Sequence, residues 1–140
     1  MAELGFQEYE SAAILQDRLK QARYTVQTGI AGMPTAFVAS YRNGDGPIIG
    51  LLAEFDALAG LSQDSTYIRQ SLANSSNGHG CGHNLIGSGA VAAAVALRQW
   101  MEETGVHGEI RLYGCPAEEG GSGKVYMVRE GLFDDVSVVI

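Results

Sequence analysis

Apolar and polar positions set a readable rhythm along the chain. Between Glu8 and Arg23, Ala12, Leu15 and Leu19 recur at helical spacing, with Gln16, Asp17, Arg18 and Lys20 on other faces, so an amphipathic helix is expected. Tyr24 to Ile30 alternates and is rich in β-formers, Ala31-Gly32-Met33-Pro34 reads as a turn, and Ala36 to Tyr41 predicts a second strand. Asn43-Gly44-Asp45-Gly46-Pro47 is a strong turn signal. Ile48 to Phe55, nearly all apolar, predicts a third strand buried on both faces. Ala57 to Gly82 has little apolar periodicity and reads as a long irregular segment. Asn84 to Glu103 predicts a helix, small and apolar almost all round and therefore buried, ended by Gly105. Gly108 to Cys115 predicts a fourth strand, Pro116 to Gly123 a glycine-rich loop, Lys124 to Glu130 a short helix stopped by Gly131, and Val136 to Ile140 the start of another buried strand.

The order α-β-β-β-α-β-α-β is that of an α/β domain with a mixed, mostly parallel sheet. A last strand with no helix to cover it reads as truncation. At 140 residues the chain holds one domain, and its 46% apolar and 18% charged content allows a packed core. A net charge of −7 argues against nucleic acid and anionic membrane as partners. Two cysteines, Cys81 and Cys115, make no disulfide framework. No basic stretch and apolar run follows Met1, and Leu85 to Leu97 is too short to cross a bilayer, so the expected location is cytoplasmic.

In such sheets the functional loops lie at the carboxyl ends of strands. Three stretches qualify: Glu54 to Leu58, Gly78 to Asn84, and Gly114 to Gly121. Cys81 and His83, one glycine apart, can both turn toward one divalent ion, since Zn²⁺ and related ions accept S, N and O donors together. For Cys-x-His alone, a buried thiol and a hydrogen-bonded imidazole in a glycine turn is the plainer reading. A position at a helix N-terminus is expected to lower the thiol pKa. Glu118 and Glu119 are costly to bury without a cation. Their side chains point in different directions, so Glu119 can ligate a metal while Glu118 takes a proton from water; a solvated acidic turn is the plainer alternative. Asp56 is a candidate for orienting a ligand, or a strand-end cap. His79 is ambiguous between a substrate or metal contact and a hydrogen-bonded loop residue. His107 reads as solvated, Cys115 as core, and the acidic excess mostly as solvated surface.

These residues resemble the M20 family of metallopeptidases and amidohydrolases, in its aminoacylase-like branch. The likeness runs through Glu3 to Glu8, Ala53 to Leu58, Gly78 to Asn84, Gly114 to Lys124 and Met127 to Gly131, in that order. It implies a three-layer α/β/α catalytic domain holding two divalent ions (Zn, Mn or Co). In that branch the residues matching Cys81, His83 and Glu119 are metal ligands and the one matching Glu118 is the general base. The implied reaction is hydrolysis of the amide bond of an N-acyl amino acid or dipeptide-like substrate, such as one of aminobenzoyl-glutamate type. The implied parent is a homodimer, with residues 1–140 the N-terminal part of its catalytic domain. The family's dimerisation domain, C-terminal part and further histidine ligands would lie outside these residues. Met1-Ala2 stands where the family has His-Pro, Ala59 where a proline is common, and Asn84 where an aspartate is common.

A truncated, inactive fragment of such a hydrolase is one alternative. A nucleotide-binding α/β protein is another. For the second, Gly121-Ser122-Gly123-Lys124 resembles the end of a P-loop, but Val125 replaces the Mg²⁺-binding hydroxyl and Glu118 the first glycine. Gly87-x-Gly89-x-x-Ala92 falls inside the expected helix, where a dinucleotide fingerprint does not belong.

Overall fold

The computed structural model describes residues 1–140. The elements are α1 (Tyr9–Gln21), β1 (Thr25–Thr28), a 3₁₀ turn (Ile30–Gly32), β2 (Phe37–Asn43), β3 (Ile48–Glu54), α2 (His83–Thr104), β4 (Gly108–Cys115), α3 (Gly123–Arg129) and β5 (Val138–Val139). Their order is the one the hydrophobic pattern predicts. The segment between β3 and α2 forms no regular element beyond two isolated bridges, Leu58 to Gly78 and Ala57 to Leu4.

The strands form one mixed sheet in the order β1-β2-β4-β3-β5. β1 and β4 each pair antiparallel with β2, while β3 pairs parallel with β4 and β5. Four strands therefore run one way and β2 alone runs against them. The parallel β3–β4 pair is joined through α2, as a parallel connection requires a crossover.

Alternation along the strands sorts side chains to two faces. Phe37, Ala39, Leu51, Ala53, Ile110 and Leu112 face α1 and α2, meeting Leu19, Val91, Ala94 and Met101. Val38, Tyr113 and Cys115 face the other side, where Met33, Ala36 and Met127 of α3 cover them. The result is three layers, α/β/α. Tyr24, just past α1, donates its hydroxyl to the Ala94 carbonyl at 2.7 Å, tying the two helices together. Burial pushes that phenol well above its ordinary pKa, so it remains a donor.

Two expectations about burial are overturned. α2 is not buried all round: His83, Gly87, Val91, Ala94 and Met101 form its buried stripe, while Leu85, Ile86 and Trp100 lie exposed on the rest. Its small residues serve a close approach to the sheet on one face only. The last strand is not buried either, because β5 is a two-residue edge strand and Val138, Val139 and Ile140 are exposed.

Candidate metal centre

The register of the parallel pair builds the site. Glu54 stands opposite Cys115, so β3 and β4 end side by side. The segments after them, residues 55–58 and 116–121, leave the sheet at the same edge. α2 starts at that edge with His83 as its first residue. Gly82, at φ 89°, supplies the left-handed turn between Cys81 and the helix, a conformation that glycine adopts without steric penalty.

His83 is the hub. It is almost fully buried. Its Nδ1 lies 2.9 Å from Asp56 Oδ1 and 3.1 Å from the Asp56 carbonyl oxygen. Its Nε2 faces Glu54 Oε2 at 3.3 Å and Glu118 Oε2 at 3.6 Å. A neutral imidazole carries one N–H. With Nδ1–H donated to Asp56, Nε2 presents a lone pair toward two carboxylates, an arrangement that a cation resolves. Asp56 is also buried, and its second oxygen, Oδ2, accepts the Glu119 backbone N–H at 3.0 Å.

Two sets of donors converge on His83. Ligand atoms of Cys81, His83 and Glu119 lie within 4.8 Å of one another, and so do those of Glu54, His83 and Glu118. Glu119 Oε1 is buried without a hydrogen-bond partner. An orphaned carboxylate oxygen beside a thiol and an imidazole fits a divalent cation. The Cys81, His83 and Glu119 set supplies three protein donors, the number that catalytic zinc sites use.

The expected lowering of the Cys81 thiol pKa does not occur. The Glu119 carboxylate, above all, pushes that thiol up, helped by the limited solvation of the sulfur and by Glu118 and Glu54. A helix N-terminus offers about half a positive charge, and full carboxylate charges outweigh it.

His79 stands apart from both donor sets. Its Nε2 lies 2.5 Å from the Met1 carbonyl oxygen, and its Nδ1 is buried without a partner. Cys115 is core and His107 is exposed, as the sequence suggested. Two site residues were not singled out from sequence. Glu54 closes the second donor set, and Lys124 forms an ion pair with Glu54. Lys124 had looked like the end of a phosphate loop. Its amine is engaged by a carboxylate at an acidic edge, which leaves no cradle for phosphate.

The fold agrees with the comparisons to known proteins. Residues 50–140 match the model of Peptidase family M20/M25/M40, and the chain belongs to that family. It is 50% identical over 139 residues to a p-aminobenzoyl-glutamate hydrolase subunit from Escherichia coli, covering 99% of this chain and 29% of that protein. It is 30% identical over 143 residues to the N-acetyl-L-cysteine deacetylase of Bacillus subtilis, covering 99% of this chain and 32% of that protein. Among solved structures, a dinuclear metal binding peptidase of the M20 family from Bacillus subtilis superposes with a TM-score of 0.82 at 26% identity, over 99% of this chain and 38% of that one. The chain thus spans 29% and 32% of the lengths of the two curated relatives.

Proposed function

We propose that this chain carries part of the active centre of a metal-dependent amidohydrolase. The substrate class is an N-acyl amino acid or dipeptide-like amide of the aminobenzoyl-glutamate type. The reading draws on the E. coli relative, whose name gives that substrate, at 50% identity. The observation that carries it is the convergence of Cys81, His83 and Glu119 from two separate loops and a helix start to within 4.8 Å.

Cys81, His83 and Glu119 would hold a divalent ion, and Glu54 and Glu118 flank a second position around His83. Zn²⁺ suits the mixed S, N and O donors, with Mn²⁺ or Co²⁺ as alternatives. When bound, such ions supply Lewis acidity toward an amide carbonyl and toward water. Asp56 fixes the His83 ring and its tautomer from behind. Glu118, half-exposed at the rim, has an oxygen free to take a proton from water and return it to the leaving amine. Lys124 holds one oxygen of Glu54 and leaves the other turned to His83.

The same reading makes residues 1–140 the N-terminal part of a longer catalytic domain that acts as a homodimer, with further donors supplied from outside them. No helix is long and apolar enough to cross a membrane. A reducing cytoplasm suits the free, exposed thiol of Cys81.

Elemental analysis after gel filtration tests the ligands. The chain is expected to retain Zn²⁺, Cys81→Ser and Glu119→Ala to lose most of it, and Glu118→Ala to keep the ion held by Cys81, His83 and Glu119. In the complete hydrolase, Glu118→Ala is expected to lower the rate of aminobenzoyl-glutamate cleavage by about 10²-fold or more, the scale of a lost general base. Unchanged metal content in Cys81→Ser and Glu119→Ala overturns the ligand set, and near-normal turnover in Glu118→Ala overturns its role.

A further inference from the structure

Glu8 is fully buried, and no cation lies against it. It occupies the N-cap of α1, where a carboxylate ordinarily accepts the first free N–H groups of the helix. Here Glu3 does that instead, its two oxygens accepting from the Glu10 N–H at 3.0 Å and the Ser11 N–H at 2.7 Å. The Glu8 side chain is turned inward. Its Oε1 accepts the Ala117 N–H at 2.8 Å, and its Oε2 accepts the Thr35 hydroxyl at 2.9 Å.

Ala117 immediately precedes Glu118 and Glu119. It sits at φ 54°, a left-handed conformation that a residue with a Cβ adopts only when its surroundings hold it there. The corner is held by two carboxylates on alternate N–H groups: Glu8 takes that of Ala117, and Asp56 takes that of Glu119. Glu118 lies between the two anchors. Asp56 is itself tied to the N-terminal segment, since the next residue, Ala57, donates its N–H to the Glu3 carbonyl at 2.8 Å.

We propose that Glu8 is a positioning residue for the Glu118–Glu119 pair, acting through the Ala117 backbone rather than through contact with substrate or metal. The assignment of Glu118 and Glu119 to catalysis and ligation is the reading given above; the hold of Glu8 on their backbone is a separate fact, and the two are tested separately.

The test compares Glu8→Gln, Glu8→Ala and Thr35→Val in the 140-residue chain, by amide hydrogen exchange and by Co²⁺ binding followed through the thiolate-to-Co²⁺ absorption band. Glutamine keeps a carbonyl acceptor for the Ala117 N–H, so exchange at residues 117–121 and Co²⁺ affinity should stay within about threefold of the parent. Alanine removes the acceptor without removing a helix cap. Exchange at residues 117–121 should then rise about tenfold or more against the amides of β3 and β4, the scale of one lost buried hydrogen bond, and Co²⁺ affinity should fall about tenfold. Thr35→Val frees one oxygen of Glu8 and should give a smaller rise confined to the same residues, which decides the matter if Glu8→Ala does not fold. A uniform rise across the whole chain, or unaltered exchange at 117–121 in both Glu8→Ala and Thr35→Val, overturns the proposal. If the parent chain binds no Co²⁺, the metal reading fails while the exchange result still decides the role of Glu8.

Discussion

Asp56 offers its two oxygens to two different N–H donors, one on His83 and one on the backbone of Glu119. Asn at this position has a single acceptor oxygen, so its amide group must face one of those donors with another donor. We expect Asp56→Asn to lower divalent metal affinity by about 10–100-fold, the usual cost of losing the group that orients a ligating histidine. Competitive titration with Co²⁺ and a chromophoric chelator measures this, and parental affinity in the variant would remove Asp56 from the site. At this scale the sequence was informative where residue type and spacing were both unusual. Cys81-Gly-His83, the Glu118-Glu119 pair before two glycines, and Asp56 at a strand end all stood out. Glu54 and Lys124 did not. Glu54 opens one of the three strand-end stretches but suggests no role of its own, and Lys124 resembles only the end of a P-loop. Their ion pair exists because β3 and β4 end in register, a pairing of positions 70 residues apart that no local pattern encodes.

Local patterning was enough to place the elements, and it misjudged how deeply two of them lie. Alternation marks β1, a nearly continuous apolar run marks β3, and 3.6-residue periodicity marks α1. The run of Ala and Gly in α2 suggested burial on every side, whereas its small residues matter on one stripe. Gly87 shows why. A Cβ there would lie 2.7 Å from the Glu54 carbonyl oxygen, so the helix axis sits as close to β3 as a glycine permits. That contact sets the height of His83, one turn earlier, over Glu54. Gly87→Ala puts two effects in opposition. Alanine favours the helix by about 1 kcal/mol over glycine, but a new methyl against immobile backbone forces α2 away from the sheet, at about 1–3 kcal/mol. The overlap is with backbone and cannot be relieved by a rotamer change, so overpacking should win. The expected result is a lower urea midpoint with an unchanged slope, together with weaker metal binding. A midpoint above the parent's would mean that helix propensity dominates and that the close approach is not needed.

Across the molecule, negative charge is uneven as well as abundant. The net charge is −7, and Glu54, Asp56, Glu118 and Glu119 gather around a single imidazole, with Lys124 as the paired cation at that edge. Such an arrangement opposes folding until positive charge enters, so divalent ions should stabilise the fold as well as serve chemistry. An ion that binds only the folded chain at about 100 times its dissociation constant adds about 2.7 kcal/mol, on the order of 5–10 °C in thermal midpoint for a domain of this size. Screening alone also raises the midpoint of an acidic protein, because any salt weakens repulsion between exposed charges. Two comparisons separate these causes. Sodium chloride at matched ionic strength should reproduce only the screening part. Cys81→Ser should keep that part and lose most of the increment that micromolar Zn²⁺ adds, since a hydroxyl is a poor replacement for thiolate at such an ion. If sodium chloride matches Zn²⁺ in the parent chain, or if Zn²⁺ stabilises Cys81→Ser as fully as the parent, then the acidic edge is merely a repulsive surface and the cation has no built place there.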